Sequence, residues 1–191
     1  MDQATTFTTP QPIKLTVDDF HVLHAAGAFD NHRHAELIEG VIVDMSPIGR
    51  THALLTSRLF MRLAKALEAA NSPLEAFTTA TLAMPPHNAP EPDLFIATTE
   101  DPGGPYFAGR MAALVIEISR TTLAYDLSTK REMYARANVP EYWVVDADEA
   151  TIHQFWSPIE GGYGESRLVQ LEGPIASATI PDLAIDGSGI L

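Results

Sequence analysis

The chain has 191 residues, 12 Lys and Arg against 25 Asp and Glu for a net charge of −13, and no cysteine. The length suits one domain with a proper core, and the missing thiols exclude disulfides and thiolate metal sites and fit a reducing, cytoplasmic setting. The acidic balance argues against tight non-specific binding to nucleic acid, which needs a basic footprint unless bound divalent cations supply positive charge locally.

Residues 1–14 are polar and rich in Thr and Pro, and predict an extended arm ahead of a single domain over 15–191. The arm carries an acid where a signal peptide has a base. No run in the chain approaches the roughly 20 apolar residues of a membrane span, so no membrane partner is expected. LTVDDFHVLHAAGAF predicts a short helix with Thr16 as N-cap, Asp18 and Asp19 in its first turn and Gly27 near its end. AELIEGVIVDMS (35–46) predicts two short strands around a Glu39-Gly40 turn, with Leu37 and Ile42 toward the core. Leu55, Leu59, Leu63 and Leu67 recur at helical spacing in the segment from 49 to 73, which Asn71 and Pro73 end. LEAFTT and TLAMPP are strand candidates, and the proline-rich PPHNAPEPD is a stiff loop that delivers the chain to a strand beginning at Asp93. DPGGP (101–105) predicts a turn. ATIHQFW is a further strand, closed by a loop over SPIEGGYGES. RLVQLEG is the next strand, and IPDLAIDGSGIL a strand end or loop. Strands mixed with helices in this order predict one α/β sheet flanked by helices.

The segment from Ala112 to Asp146 carries the chemistry. AALVIEI is an apolar run suited to a buried strand, yet it contains Glu117. An ionised carboxylate is costly to bury unless it is paired or bound to a metal. Residues i and i+2 of a strand share a face, so Val115, Glu117 and Ser119 line up, with Glu117 near the carboxyl end where α/β sheets place their sites. The following helix is predicted from Tyr125-Asp126 to Ala137-Asn138, with Asp126 as its cap and Lys130, Tyr134 and Ala137 on one stripe. Helical side chains lean toward the N-terminus, which brings Lys130 back toward the end of the Glu117 strand. Asp93 offers a second carboxylate from a neighbouring strand. Two such acids suit Mg²⁺ (or Mn²⁺), a hard ion that keeps several waters, while a lysine orients or deprotonates one of them.

AELIEGVIVDMSP with its downstream His52, EPDLFI, VIEISRTT and YDLSTKREMYARANVPEYWVVD together resemble the Uma2 family (DUF820). This family is similar to restriction endonucleases of the PD-(D/E)XK superfamily. The resemblance covers residues ~35–155 and implies a restriction-endonuclease-like mixed β-sheet flanked by helices, with an N-terminal helix and strand pair as an extension. It implies an Mg²⁺-dependent endonuclease acting on DNA, with Asp93 and Glu117 as metal ligands, and a homodimer if both strands of a duplex are cut. Asp93, Glu117, Lys130 and Glu36 would form the catalytic set. In the E-x-K pattern the lysine follows the acid by two residues; here Ser119 stands there, and the family's lysine from the following helix corresponds to Lys130.

Other readings stand beside these. Glu117 and Lys130 can form a purely structural ion pair. Glu39 rather than Glu36 can face the site, and Asp126 and Lys130 can be an ordinary i, i+4 pair. His52 is a site residue or a core or surface histidine, and His32 and His34 are a loop pair. An inactive binding or assembly protein that keeps the fold, or a metal-dependent hydrolase of a small phosphate ester, would each tolerate the acidic surface better.

Overall fold

A computed structural model describes residues 11–32, 34–45, 49–100 and 103–191. Positions 1–10 of the expected arm, position 46 at the end of the expected strand pair, and positions 101 and 102 of the expected turn lie outside the described residues.

Helix α1 (Val17–Ala25) starts at the expected cap. The Thr16 hydroxyl accepts from the Asp19 amide at 3.2 Å, and the Asp19 carboxylate accepts from the Thr16 amide at 2.9 Å, which closes a capping box. Strands β1 (Ala35–Ile38) and β2 (Val41–Asp44) form the expected hairpin. Glu39 and Gly40 both have positive φ, 53° and 80°, which matches the twist of a two-residue hairpin turn. Helix α2 (Arg50–Ala69) buries all four leucines of the predicted stripe. Strands β3 (Leu74–Thr78), β4 (Leu82–Ala83), β5 (Leu94–Thr98), β6 (Phe107–Ala108) and β7 (Ala112–Ser119) follow. The chain then turns into α3 (Leu123–Tyr125), a π-helical turn over Asp126–Lys130, and α4 (Arg131–Arg136). Strands β8 (Glu141–Asp146), β9 (Thr151–Ile159), β10 (Gly162–Gln170), β11 (Pro174–Ala176) and β12 (Ala184–Asp186) complete the chain.

Six strands make the central sheet in the order β10-β9-β8-β7-β5-β3. Within this sheet β7 and β8 are the parallel pair, and the helical segment between them supplies the crossover that parallel strands require. The two central strands are covered on both faces, which is why AALVIEI and EYWVVD are continuous apolar runs rather than alternating ones. On one face, Leu114, Ile116, Trp143 and Val145 pack against the α2 leucines; on the other, Val115, Tyr142 and Val144 pack with Met133 and Tyr134 of α4.

Two expectations are corrected. The loop placed over SPIEGGYGES is largely strand: β9 and β10 pair to Ile159↔Gly162, leaving only Glu160 and Gly161 as the turn. Pro158 is tolerated because it lies beyond the part of β9 that pairs with β8, so its missing N–H breaks no bond on that side. The tail is a short strand, β12, between turns, as expected, and it is fastened to the rest of the fold. β11 and β12 pair, Arg58 donates to the Ile190 carbonyl at 2.9 Å, and Arg62 donates to the Ser188 carbonyl at 2.7 Å. The helical segment after β7 begins at Leu123, so Asp126 lies inside it and is not its cap.

Candidate active site

β5 runs antiparallel to β7 with Leu94 opposite Ile116, so Asp93, just ahead of β5, arrives beside the carboxyl end of β7. Its Oδ2 accepts the Ile118 amide at 2.7 Å, continuing the ladder with a side chain where strand pairing stops. The same oxygen accepts from His52 Nε2 at 2.9 Å. His52 lies in the first turn of α2, and its Nδ1 is 3.4 Å from the Thr56 hydroxyl one turn on. The hydrogen bond to Asp93 raises the His52 pKa against the opposing effect of burial.

Glu117, 4% exposed, occupies the face of β7 that meets α4. Its Oε1 accepts from Lys130 Nζ at 3.0 Å and from the Tyr134 hydroxyl at 2.8 Å. The predicted lean of Lys130 toward the β7 end is therefore what the structure has. Lys130 also approaches Glu36, at 3.5 Å from Oε1 and 3.3 Å from Oε2. Glu36, on β1, is buried, and its Oε2 has no hydrogen-bond donor among the described residues. Glu39, the alternative, sits at the exposed hairpin turn and pairs with Arg136 and Lys14 instead.

Burial pushes the Glu117 carboxyl up to about 8, with Lys130 opposing and the Asp93, Asp126 and Glu36 carboxylates adding to the rise. Burial raises Glu36 as well, again against the pull of Lys130. For Lys130 burial acts downward, but the Glu117, Glu36 and Asp126 carboxylates and the Glu117 hydrogen bond outweigh it, so its pKa lies above the ordinary amine value. These carboxylates favour the ammonium form of Lys130. It can stabilise negative charge and orient a water, but it is not poised to take a proton.

Asp126 is a buried acid whose Oδ2 accepts from the Ser119 hydroxyl at 2.6 Å and the Thr122 hydroxyl at 2.7 Å. Ser119 thus does more than mark an absent lysine: it ties Asp126 to the end of β7. Asp126 and Lys130 bound one π-helical turn, a distortion that often accompanies functional sites. Local sequence favoured a cap for Asp126 because nothing in it shows that the turn faces inward. Tyr134 had a local signal, its i+4 spacing from Lys130, but that spacing indicates only a shared stripe.

These groups border one cavity of ≈ 480 Å³. Glu36, Glu91, Asp93, Glu117 and Asp126 supply carboxylates to it, and Arg50, Arg120 and Lys130 supply cations. All four residues expected to form the catalytic set converge there, joined by His52, which the sequence left open, and by His34. His32 points elsewhere and pairs with Asp44 at 2.8 Å, so the HxH does not act as one unit. Among the described residues no three His, Asp or Glu groups form a ready-made metal cluster.

The Uma2 family model, described as a "putative restriction endonuclease", matches residues 17–187. The chain belongs to the Uma2 family. Its fold is similar to that of a "putative nuclease belonging to DUF820" from Anabaena variabilis ATCC 29413, with a TM-score of 0.66 over 94% of this chain and 97% of that one. At 16% identity that likeness concerns the fold. No curated protein matches the chain. The expected restriction-endonuclease-like mixed sheet flanked by helices is what this Uma2 protein has. Among the described residues no helix is long and apolar enough to cross a membrane.

Proposed function

We propose that this Uma2 protein is a metal-dependent endonuclease that hydrolyses phosphodiester bonds in DNA. The observation that supports this reading is the meeting of Asp93, Glu117, Glu36 and Lys130, from four elements, in one cavity at the carboxyl end of β7. The donor chemistry fits Mg²⁺ or Mn²⁺. Five carboxyl groups and three cationic side chains border the cavity, an oxygen-rich donor set that suits a hard divalent ion, and a bound ion would favour the ionised form of Glu117. Mg²⁺ is commonly held by one or two carboxylates plus waters and substrate oxygens, so a prebuilt cage of three protein ligands is not required. Asp93 and Glu117 would hold the ion, with Glu36 assisting; when bound, the ion would activate water and polarise the phosphate.

Lys130 contributes a fixed positive charge beside Glu117, suited to orienting the attacking water and to the charge that builds on the phosphate oxygens. Tyr134 holds Glu117 from below, and His52 holds Asp93 against the Ile118 amide. Cutting both strands of a duplex calls for two such sites, hence a homodimer. An enzyme with DNA as its substrate would work in the cytoplasm.

Supercoiled plasmid incubated with Mg²⁺ or Mn²⁺ tests the reading. The expected result is nicked and then linear DNA, with no product from Lys130→Ala. Equal cutting by Lys130→Ala removes the mechanism, and no cutting by either removes the function. The second reading, a binding protein that keeps the fold, is favoured by one observation: Lys130 is already engaged by both Glu36 and Glu117. Under it, plasmid stays intact while the Lys130 variant loses stability.

A further inference from the structure

A chain with a charge of −13 must still meet a polyanion if the endonuclease reading is right, and the inference below rests on that reading for the identity of its ligand. Most of the cationic side chains are occupied within the fold. Lys130 lies between Glu36 and Glu117, and Lys14 and Arg136 share Glu39. Arg58 and Arg62 hold carbonyls of the C-terminal segment. Arg131 lies over Phe155, and Arg167 lies over Trp156 while bonding Gln154. Arg50, Lys65 and Arg110 have no hydrogen-bond or ion-pair partner among the described residues. Among the described residues Arg120 pairs with Asp148 alone, at 3.2 Å with both side chains more than 60% exposed. Exposed pairs of that kind contribute little and separate easily.

Two of these four available cations, Arg50 and Arg120, border the carboxylate cavity; Arg110 borders a different one. They come from different elements, Arg50 from the first residue of α2 and Arg120 from the residue after β7. The Thr51 and Thr121 side chains stand next to them on the same cavity. The first turn of α2 holds no acid and has no side-chain cap, so its end adds charge of the same sign. The result is a layered site, with Glu36, Glu117, Asp126 and Lys130 buried, Glu91 and Asp93 half-buried, and Arg50 and Arg120 exposed. Guanidinium forks match phosphate oxygens two at a time.

We propose that Arg50 and Arg120 are the phosphate-binding residues of this site and grip duplex DNA backbone phosphates flanking the one to be cut. Phosphate contacts position a duplex without reading its bases. Asp148 occupies Arg120 in the free protein and yields it to the phosphate.

The test is binding of a fluorescent DNA duplex, with Ca²⁺ replacing Mg²⁺, measured by anisotropy between 50 and 200 mM salt. Arg50→Ala and Arg120→Ala are each expected to weaken binding about 5–10-fold and to lower the slope of log affinity against log salt by about one, whatever the duplex sequence. Asp148→Asn is expected to tighten binding, while Arg110→Ala and Lys65→Ala leave it unchanged. Unaltered slopes in both cavity variants, an equal loss in Arg110→Ala, or no duplex binding by the parent protein overturns the assignment. So does tighter binding of duplex RNA with the same slope changes, which would name a different ligand. Plasmid cutting by the same preparations separates the two ideas. A protein that cuts but shows unchanged slopes keeps the endonuclease reading and loses the arginine assignment. A protein that shows the slope changes but never cuts does the reverse.

Discussion

Glu117 and Glu141 are both buried, on adjacent parallel strands, yet they are held in opposite ways. Glu141, at the first residue of β8, is saturated by neutral donors. It accepts from Trp143 Nε1 at 2.6 Å, Ser177 Oγ at 2.5 Å, the Thr179 hydroxyl at 2.8 Å, and the Ala178 and Thr179 amides at 2.9 to 3.0 Å. These bonds fasten the segment before β12 to the sheet. Glu117, near the other end of β7, has one oxygen held by Lys130 and Tyr134, while the second accepts nothing from the described residues and the cavity beyond holds more carboxylates. A buried acid used as a fastener is surrounded by donors; one suited to chemistry is left short of them, and its proton affinity rises.

The largest expected effect comes from replacing the under-satisfied carboxyl. Glu117→Gln keeps the shape and should lower plasmid cleavage on the order of 10³-fold, with folding stability at pH 7 unchanged or raised. If Glu117→Gln cuts normally, the contrast between the two glutamates has no catalytic meaning.

Glu141→Gln should do the converse. Its amide group meets donors rather than acceptors, so urea unfolding should show a loss of about 2–3 kcal/mol while cleavage at low temperature persists. A stable Glu141→Gln would show that the clamp around 177–179 is not what holds the C-terminal ribbon.

The contrast also predicts a pH dependence. In the folded protein Glu117 is raised from 4.5 to about 8, and Glu36 is raised in the same direction. The folded state therefore keeps protons that the unfolded state releases above 4.5, so stability falls as pH climbs through that window. The raised His52 acts with the same sign, its contribution present below 6.5 and lost as pH passes its folded pKa. In chelator, the melting temperature should be lower at pH 8.5 than at pH 6.0. Mg²⁺ should narrow the gap by favouring the ionised Glu117, and Glu117→Gln should narrow it without metal. A melting temperature that rises with pH in chelator contradicts the assigned directions.

The smallest expected effect is at His52. Asp93 keeps the Ile118 amide when His52 is replaced, so His52→Ala should lower cleavage about 10-fold by loosening one orienting bond. His52→Gln, which can still donate, should recover part of it; equal loss in both variants would point to packing rather than positioning.

Much of the framework was legible because it is local. The Leu55 to Leu67 stripe repeats with the helical period, Glu39-Gly40 is a hairpin turn by its own backbone needs, and the runs containing Glu117 and Trp143 are apolar because both faces of the central strands are covered. An acid inside such a run identifies itself, and its lysine could be reached from the direction of helical side chains. SPIEGGYGES concealed its strands because its glycines and proline carry turn chemistry even where pairing overrides it.

What the sequence by itself determined was therefore the elements, the buried acid and its lysine 13 residues on. The tertiary structure decided the rest: Glu36 rather than Glu39 beside a lysine 94 residues away, His52 on Asp93 across 41 residues, Asp126 inside rather than at a helix start, and two arginines at the mouth. The physical reason is range. Periodicity and turn preference are set by neighbours within a few residues, whereas the surroundings of a charge depend on which distant strands the sheet brings together.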